Sequence, residues 1–545
     1  MVALAPFVTR YATNGMVCSV DHLASCAGVA TMRAGGSAAD AAIAASAVLA
    51  VTTQHMCGMG GDLFALVHTG GRDEPAVLNS SGRAGSGADP QRLRDEGHRE
   101  IPRTGDVAAV PVPGCVDGWL ALHERFGRLP LADVLEPARA YAADGFAVSP
   151  TLAISARRLF ELGIAGADDY TGGRSALRPG DVVRRPGVAR ALEAVARDGR
   201  RGFYEGEFGE GLLAVGGGEY AEDDLRAPLA DWVQGLAIDV WDRRVWTIPP
   251  NSQGYLTLAS AWIASQLDLP TSPDDPVWAH LLVEASRQAA FDRPDVLHEH
   301  ADGAPLIGAE RLAPRAAAIS RDGAARELAG TFGEGGTIYL CAADRRDGMA
   351  VSLIQSNYQG FGSLLVVPGV RIFLQNRGAG FSLQPGHPAE YGPGRRPPHT
   401  LSPAMVTMPD GSFDCVLGTM GGDSQPQVLL QLLARRYGPG GSSVGDAGRW
   451  GPGVGDAIAA PRFVLAGASP GLGVWDDGGR VTVAVDAHAP DAWFEGLAAR
   501  GHEVVRLRPW SADAGHAHLI ARSPDGSTLA GADDPRSLGG ATAGW

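Results

Sequence analysis

The chain has 545 residues, of which 45% are hydrophobic and 20% charged, as expected for a globular protein with more than one folding unit. Its formal net charge of −15 argues against nucleic acid and anionic membrane as partners, because both require a basic protein face. The sequence contains no lysine, which excludes a pyridoxal-phosphate Schiff base and a P-loop lysine.

The cysteines and the N-terminus carry no metal or targeting signal. The six cysteines are far apart and form no CxxC pair, so we expect separate thiols rather than a zinc or redox motif. Residues 298–300 read His-Glu-His, which lacks the HExxH spacing of a zinc site. The first residues lack a basic start followed by an apolar stretch, and no segment has 18 consecutive apolar residues. We expect a cytoplasmic protein.

The first part of the chain predicts a close-packed helix, two strands and a helical layer. Residues 36–51 are rich in alanine and precede a glycine turn at 58–61. Short apolar runs predict strands. Amphipathic segments in the stretch 115–330 predict helices in a layer and shell. The predicted strands are 63–68 and 76–79, and the predicted helices are 134–143, 186–197 and 276–291.

After residue 336 the pattern predicts mainly strands. Two apolar runs, 337–343 and 350–355, are joined by a polar turn, and residues 438–455 predict a Gly/Ser-rich surface loop. These proportions indicate an α/β fold with sheets packed between helical layers. Further strands are predicted at 366–374, 413–417 and 481–485, with a helix at 425–436.

The pair Gly336-Thr337 begins the first of these strands. A threonine hydroxyl is a weak nucleophile unless a base lies beside it. If the chain is cut before Thr337, the new α-amine supplies that base, with a pKa of roughly 8. The preceding glycine permits the bent backbone that an acyl shift from nitrogen to oxygen requires. On its own, such a pair is also compatible with an ordinary strand start.

Ordered motifs along almost the whole chain resemble those of the γ-glutamyltranspeptidase family. They follow one another at spacings similar to those of the family. The matching segments are 35–51 (GGSAADAAIAASAVLAV), 57–67 (CGMGGDLFALV), 110–114 (VPVPG), 249–254 (PPNSQG), 337–344 (TIYLCAAD), 360–363 (GFGS), 401–403 (LSP) and 420–423 (MGGD).

This resemblance implies a four-layer αββα N-terminal-nucleophile hydrolase fold and a precursor that cleaves itself. The cut would fall between Gly336 and Thr337, giving a large subunit of residues 1–336 and a small subunit of residues 337–545. Thr337 stands at the position of the family's catalytic threonine, and Gly421 and Gly422 match the glycine pair that forms the oxyanion hole. No metal or organic cofactor is implied, and the expected partners are a small-molecule substrate and the paired subunits.

The resemblance also implies a substrate pocket. Arg83 falls where the family places the arginine that binds the substrate's α-carboxylate, a role that suits a guanidinium fork. His399 and Thr400 replace two serines of the family's segment near the substrate. We interpret His399 as a polar wall of the pocket, with a general acid as the alternative.

The pattern departs from the family at the ammonium site. Typical members hold the substrate's α-amino group with an asparagine and an acidic residue, and these positions are Tyr358 and Gly380 here. Arg377 adds a positive charge nearby, which is unfavourable for a cation. Asn357 could substitute only if the strand slipped by one residue, which would reverse its facing side chains. Ile338 also replaces a second threonine.

These changes predict an acyl group that carries a carboxylate without a neighbouring ammonium, such as glutaryl or oxalyl. In this respect the chain is similar to the transpeptidase-like and cephalosporin-acylase-like branch of the family, which includes oxamate amidohydrolases. Three alternatives stay open: a true glutathione hydrolase or γ-glutamyltransferase, a homologue that cleaves a C–C bond in a 4-alkylproline natural-product pathway, and an inactive binding homologue.

Overall fold

Two antiparallel seven-stranded sheets pack face to face in the centre of the molecule. The computed structural model describes residues 9–172, 176–325, 336–441, 453–466 and 481–545. In spatial order, sheet 1 contains Ala541–Gly544, Gly15–Ser19, Gly336–Asp344, Met349–Tyr358, Asp62–His68, Ala76–Ser80 and Asp231–Val233. Sheet 2 contains Arg10–Ala12, Leu529–Ala532, Ala517–Arg522, Phe413–Thr419, Ala404–Thr407, Arg243–Thr247 and Leu236–Val240.

The central strand Gly336–Asp344 is buried on both faces, and its side chains alternate between two hydrophobic cores. Ile338 and Leu340 belong to the core beneath the helices of sheet 1. Tyr339 and Cys341 belong to the core between the two sheets. This alternation follows from the two-residue period of a strand, and it directs the side chain of Thr337 to the space between the sheets.

A helical layer covers the outer face of each sheet, which completes the four-layer αββα arrangement. Over sheet 1 lie His22–Arg33, Ala38–Thr52, Cys115–Phe126, Leu131–Asp144, Pro150–Leu162, Pro186–Tyr204 and Glu207–Gly216. Over sheet 2 lie Tyr255–Ser265, Pro276–Ala290, Ala309–Ala317, Gln425–Tyr437, Val454–Ala459 and Asp491–Ala499. Shorter helices are Pro90–Asp95, Asp168–Thr171, Glu222–Arg226, Arg293–Val296 and Gly303–Leu306, and the 3-10 turns are Val107–Ala109, Arg377–Gly380, Gly422–Ser424 and Ala512–Ala514.

The predicted alanine-rich helix is Ala38–Thr52, and every residue in it is buried. Ser37 caps its N-terminus by accepting from the amide of Asp40, whose carboxylate accepts in return from the Ser37 amide. The small side chains let the neighbouring helix approach closely: a Cβ on Gly28 would lie 3.0 Å from the carbonyl oxygen of Ala41. The helix Ala38–Thr52 therefore packs at close distance against its neighbouring helix.

Three sequence predictions about elements were wrong in detail. Residues 366–374 form a hairpin of two short strands, Val366–Val367 and Ile372–Phe373, because the turn between them carries Gly369 at a φ of 77°. The stretch 115–330 also supplies strands to both sheets, at 231–233 and 236–247. The predicted loop 438–455 lies partly outside the described residues, and its end begins the helix Val454–Ala459. In a two-stranded sheet Phe146–Ala147 pairs with Val182–Val183. In a three-stranded sheet Thr482–Val485 lies between Phe463–Ala466 and Glu503–Arg506.

Candidate active site

The hydroxyl of Thr337 lies against the peptide bond that precedes it. Its Oγ1 is 2.8 Å from the carbonyl oxygen of Gly336 and 3.1 Å from the Oγ of Ser356. The Thr337 residue is fully buried. The ladder between the first two strands after residue 336 is irregular between Gly336 and Ile338, so the backbone is displaced at this bond.

Ser356 connects the Thr337 hydroxyl to the neighbouring strand. Its hydroxyl donates to the carbonyl oxygen of Gly336 at 2.7 Å and accepts from the amide of Tyr358 at 2.7 Å. The Gly336 carbonyl therefore lies within hydrogen-bond distance of two hydroxyl groups. Such an arrangement polarises the carbonyl and holds a nucleophile beside it.

The glycine turn after strand Phe413–Thr419 approaches the same end of the sheets. Phe413, at the start of this strand, lines a cavity together with Ala343, which is at the end of strand Gly336–Asp344 away from Thr337. Gly418, near the end of the strand, is close to Tyr339: a Cβ on Gly418 would lie 2.2 Å from the Tyr339 ring. The strand therefore runs towards Thr337, and the turn that follows it contains Gly421 and Gly422, whose φ angles are 134° and 57°. Within the described residues, neither amide of this pair donates to a protein acceptor. Free amides in a tight turn are suited to binding an oxyanion.

Gln253 holds this glycine turn in place. Its Nε2 donates to the carbonyl oxygens of Gly422 and Thr400, each at 3.0 Å, and its Oε1 accepts from Arg293 at 2.9 Å. Arg293 is buried and pairs with Asp423, the residue that follows the glycines, at 2.6 Å. The turn is therefore fixed from both sides by buried polar contacts.

Arg377, Tyr358 and Thr400 form one buried cluster beside the glycine turn. The guanidinium carbon of Arg377 lies 3.4 Å from the centre of the Tyr358 ring, a stacked cation–π contact. Nη1 of Arg377 donates to Oγ1 of Thr400 at 3.1 Å. Burial raises the pKa of Tyr358 above its ordinary value, so its hydroxyl stays protonated.

The position predicted to have lost its acid, Gly380, has no room for a side chain. A Cβ there would lie 2.8 Å from the carbonyl oxygen of Pro398 and 3.0 Å from Nη2 of Arg377. The Nδ2 of Asn357 donates to the carbonyl of Gln54, and its Oδ1, the atom that would accept from an ammonium, lies against Gly61 in the glycine turn 58–61. Ile338 faces the helical core and not the cluster.

His399 is buried and paired with Asp62. Its Nδ1 accepts from the amide of Leu401 at 3.3 Å, so the proton is on Nε2, which lies 3.1 Å from the carboxylate of Asp62. Burial lowers the pKa of His399 to about 4; the bond to Asp62 opposes this shift, and the charge of Arg377 adds to it. A neutral imidazole whose two nitrogens both make hydrogen bonds can form a polar wall of the pocket, but it is not suited to act as a general acid near neutral pH.

Arg83 lies apart from this cluster and already has anionic partners. Its Nη1 is 3.2 Å from Glu299 and 3.0 Å from the carbonyl of Gly394, and its Nη2 is 3.9 Å from Asp231. The side chain is 36% exposed. Glu299, the centre of the His-Glu-His sequence, is therefore used in an ion pair.

Among the residues that the structure describes, no group of three His, Cys, Asp or Glu side chains is placed to hold a metal ion. No helix in that part of the chain is long and apolar enough to cross a membrane. A threonine at a strand start, with a glycine turn at the same end of two sheets that are flanked by helices, is the arrangement typical of N-terminal-nucleophile hydrolases.

Comparison with known proteins shows to which family within this class the chain belongs. The sequence profile of the family "Gamma-glutamyltranspeptidase" matches residues 24–544. The chain is 36% identical to oxamate amidohydrolase proenzyme of Klebsiella pneumoniae subsp. pneumoniae, over 98% of this chain and 99% of that one. It is 34% identical to glutathione hydrolase-like YwrD proenzyme of Bacillus subtilis, over 97% and 98%. Cephalosporin acylase from Bacillus halodurans superposes with a TM-score of 0.88 at 32% identity, over 99% of this chain and 97% of that one.

The chain therefore belongs to the γ-glutamyltranspeptidase family, and the predicted family and αββα fold are confirmed. It is an enzyme of the N-terminal-nucleophile hydrolase type. The roles of the individual site residues remain predictions, to which the structure adds geometry.

Several residues of the site carried no sequence signal of their own. The sequence pattern assigns no function to Ser356, Gln253 or Asp62, although Gln253 and Asp62 lie in segments that match the family motifs. Asp62 accepts from the amides of Gly82 and Gly114 and from the side chain of Gln375, besides binding His399. An acidic residue directly after the glycine turn 58–61, at the start of an apolar strand, is the sequence signal that could have identified it.

Proposed function

We propose that the chain is a precursor that cleaves itself between Gly336 and Thr337, and that the resulting enzyme hydrolyses an amide or amide-like bond. The acyl group in this proposal carries a carboxylate but no free α-amine, as in glutaryl or oxalyl. The names of two similar proteins, an oxamate amidohydrolase and a cephalosporin acylase, support this direction.

Cleavage begins at the carbonyl carbon of Gly336. Oγ1 of Thr337 attacks this carbon, the C–N bond breaks, and the peptide nitrogen takes a proton to become the α-amine of Thr337. Water then hydrolyses the ester that joins the two residues and leaves a free carboxylate on Gly336. Ser356 donates to the carbonyl oxygen throughout the attack, because its hydroxyl already points there.

The mature enzyme repeats the same chemistry on its substrate. The α-amine of Thr337 accepts the hydroxyl proton as Oγ1 attacks the acyl carbonyl, and the amides of Gly421 and Gly422 bind the oxyanion. The amine takes the proton when the C–N bond of the substrate breaks. Water then releases the acyl group as a carboxylic acid, and Thr337 is regenerated.

One observation carries the substrate assignment: the place of the ammonium site is filled by a cation. Arg377 stacks on Tyr358, and its Nη2 occupies the space next to Gly380. A substrate ammonium at this position would lie beside a buried positive charge, in surroundings that screen it poorly. An acyl group without an amine avoids this repulsion.

A comparison of three substrates tests the assignment. The γ-glutamyl, glutaryl and oxalyl amides of the same amine are offered to the fully cleaved protein in one assay. We expect the glutaryl or the oxalyl amide to have a kcat/KM at least tenfold above that of the γ-glutamyl amide. A γ-glutamyl amide that is hydrolysed equally well would overturn the proposal in favour of a glutathione hydrolase.

Self-cleavage is tested with two variants of the nucleophile. Thr337→Ala removes the hydroxyl, whereas Thr337→Ser keeps it and removes only a methyl group. Mass spectrometry should show two chains for the wild type and Thr337→Ser, and one intact chain for Thr337→Ala. Splitting of Thr337→Ala at the same bond would rule out self-cleavage by this residue.

A further inference from the structure

Arg377 is a buried cation without an anionic partner in the part of the chain that the structure describes. The residue is 1% exposed. Its Nη1 donates to the neutral hydroxyl of Thr400, and its Nε is buried without an acceptor among the described residues. A charge taken out of water costs several kcal/mol unless it is paired and hydrogen-bonded. The contact with the Tyr358 ring offsets only part of this cost.

A second donor beside Arg377 also lacks an acceptor. The hydroxyl of Tyr358 is buried, and within the described residues it has no hydrogen-bond partner. Buried polar groups in folded proteins nearly always have partners, so an orphaned one requires an explanation. Two adjacent donors, one of them charged, are suited to a carboxylate, whose two oxygens can accept from both.

The pair lies next to the reacting groups. Tyr358 is opposite Gly336 in the strand ladder, and Gly336 is the residue directly before Thr337. On the other side, Arg377 donates to the hydroxyl of Thr400. The side-chain amide of Gln253 donates both to the carbonyl of Thr400 and to the carbonyl of Gly422. The cation is thus in direct contact with residues that border both the nucleophile and the glycine turn.

Arg83, the arginine that the family resemblance favours, is less suited to this role. Its guanidinium already pairs with Glu299, which also accepts from Arg395 at 3.2 Å. A carboxylate that binds there must lie beside an acid or displace it. Arg83 is also partly exposed, where an ion pair contributes little.

We infer that Arg377, together with the Tyr358 hydroxyl, binds the carboxylate of the acyl group, and that the preferred acyl group is therefore short, of the oxalyl type. In an oxalyl amide the carboxylate is bonded directly to the reacting carbonyl carbon, whereas three methylene groups separate the two in a glutaryl amide. An anchor that touches the neighbours of the reacting centre fits the shorter spacing. This inference rests on the proposed function, whose acyl group carries a carboxylate.

The test measures how strongly each variant distinguishes a charged acyl group from a neutral one. Cleaved wild type, Arg377→Gln, Arg377→Lys and Arg83→Gln are assayed with the simple amide of oxalic acid and with the amide of pyruvic acid, in which a neutral acetyl group replaces the carboxylate. Arg244→Gln, at an exposed surface ion pair, is the matched control. Mass spectrometry confirms that every variant is fully cleaved.

We expect Arg377→Gln to raise the KM for the oxalyl amide by roughly 10- to 150-fold, the loss that follows removal of a charged hydrogen bond. The ratio of kcat/KM values for the two amides should fall towards one, with partial recovery in Arg377→Lys. A role limited to packing would lower both activities equally. If Arg83→Gln abolishes the discrimination and Arg377→Gln keeps it, the inference is wrong.

The same experiment separates this inference from the proposed function. Adding the simple monoamide of glutaric acid completes the comparison. If the wild type prefers it over the oxalyl amide, the proposed function stands and the short-acyl inference falls. If the wild type hydrolyses none of the amine-free amides, the proposed function falls; calorimetric binding of oxalate to wild type but not to Arg377→Gln would still support the anchor, and equal binding to both would refute it.

Discussion

The hydroxyl oxygens of Thr337 and Ser356 lie 3.1 Å apart, and both are within hydrogen-bond distance of the carbonyl oxygen of Gly336. In the proposed self-cleavage, the nucleophile and a donor to its first electrophile are therefore in place before any bond is broken. The Gly336 carbonyl would become part of the free carboxylate of the large subunit, so we expect the contact from Ser356 to serve the processing step more directly than later turnover.

Ser356→Ala should slow self-cleavage by about 100- to 1000-fold, the range observed when one oxyanion donor is removed. The fraction of intact chain, followed by mass spectrometry over time, measures this rate. Ser352→Ala is the control, because Ser352 lies on the same strand as Ser356 but its hydroxyl contacts Tyr339 and not Thr337. A Ser356→Ala precursor that matures as fast as Ser352→Ala would show that the contact has no role.

Gly380→Ala should lower the free energy of unfolding by about 1 to 3 kcal/mol, because overpacking forces neighbouring groups apart. The added Cβ would meet the carbonyl oxygen of Pro398. Gly323→Ala is the control, since the nearest atom to a Cβ at that position is 3.9 Å away. Urea denaturation measures both variants. If Gly380→Asp folds well and gains γ-glutamyl hydrolysis, the ammonium site is intact after all.

Acid should destabilise the protein in a window set by His399. Its pKa is lowered from 6.5 to about 4 on folding, so the unfolded chain binds the proton more tightly. The stability that this group contributes is present above pH 6.5 and is lost as the pH falls towards 4. From pH 7 to pH 5 the loss is about 2 kcal/mol for this one histidine.

The measurement is the change in unfolding free energy between pH 7 and pH 5. His399→Gln keeps a donor for Asp62 but does not titrate, so its change should be smaller than that of the wild type by this amount. His300→Gln removes an exposed imidazole and is the control. Equal pH dependence in His399→Gln and wild type would mean that His399 does not titrate as inferred.

Gln253→Leu should reduce kcat about 100-fold, because the carbonyls of Gly422 and Thr400 lose their shared donor and the oxyanion amides shift. Steady-state kinetics of the cleaved variant measures the effect, with KM expected to change less than kcat. Gln266→Leu, on the exposed end of a helix over sheet 2, is the control. An unchanged kcat would mean that the glycine turn is held by other contacts.

The sequence predicts the helices and the central strands well where a single period dominates. The alanine-rich helix, the strand after Thr337 and the helix after residue 425 lie where the pattern indicates. The strands at 231–247 were missed because they interrupt a long helical stretch and belong to two different sheets. Their positions depend on tertiary pairing, which no local pattern carries.

For the site, the resemblance predicted Thr337 as the nucleophile and Gly421 and Gly422 as the oxyanion pair, but it did not show which charges are paired. Arg83 and Arg377 look alike in a sequence. Only the structure shows that Glu299 pairs with the first and that no described carboxylate pairs with the second. Charge compensation is a property of the folded neighbourhood, and here it changes which arginine is expected to bind the substrate.

The strand Gly15–Ser19 joins Gly336–Asp344 on one side and Ala541–Gly544 on the other. The sheet that carries Thr337 therefore has all its strands only when residues far downstream of Thr337 are present. Pairing of such distant segments makes folding slow. In the proposed self-cleavage, the sheet around Thr337 would be complete only after the last strand has been synthesised, and we expect a nascent chain that stops short of residue 541 to remain uncut.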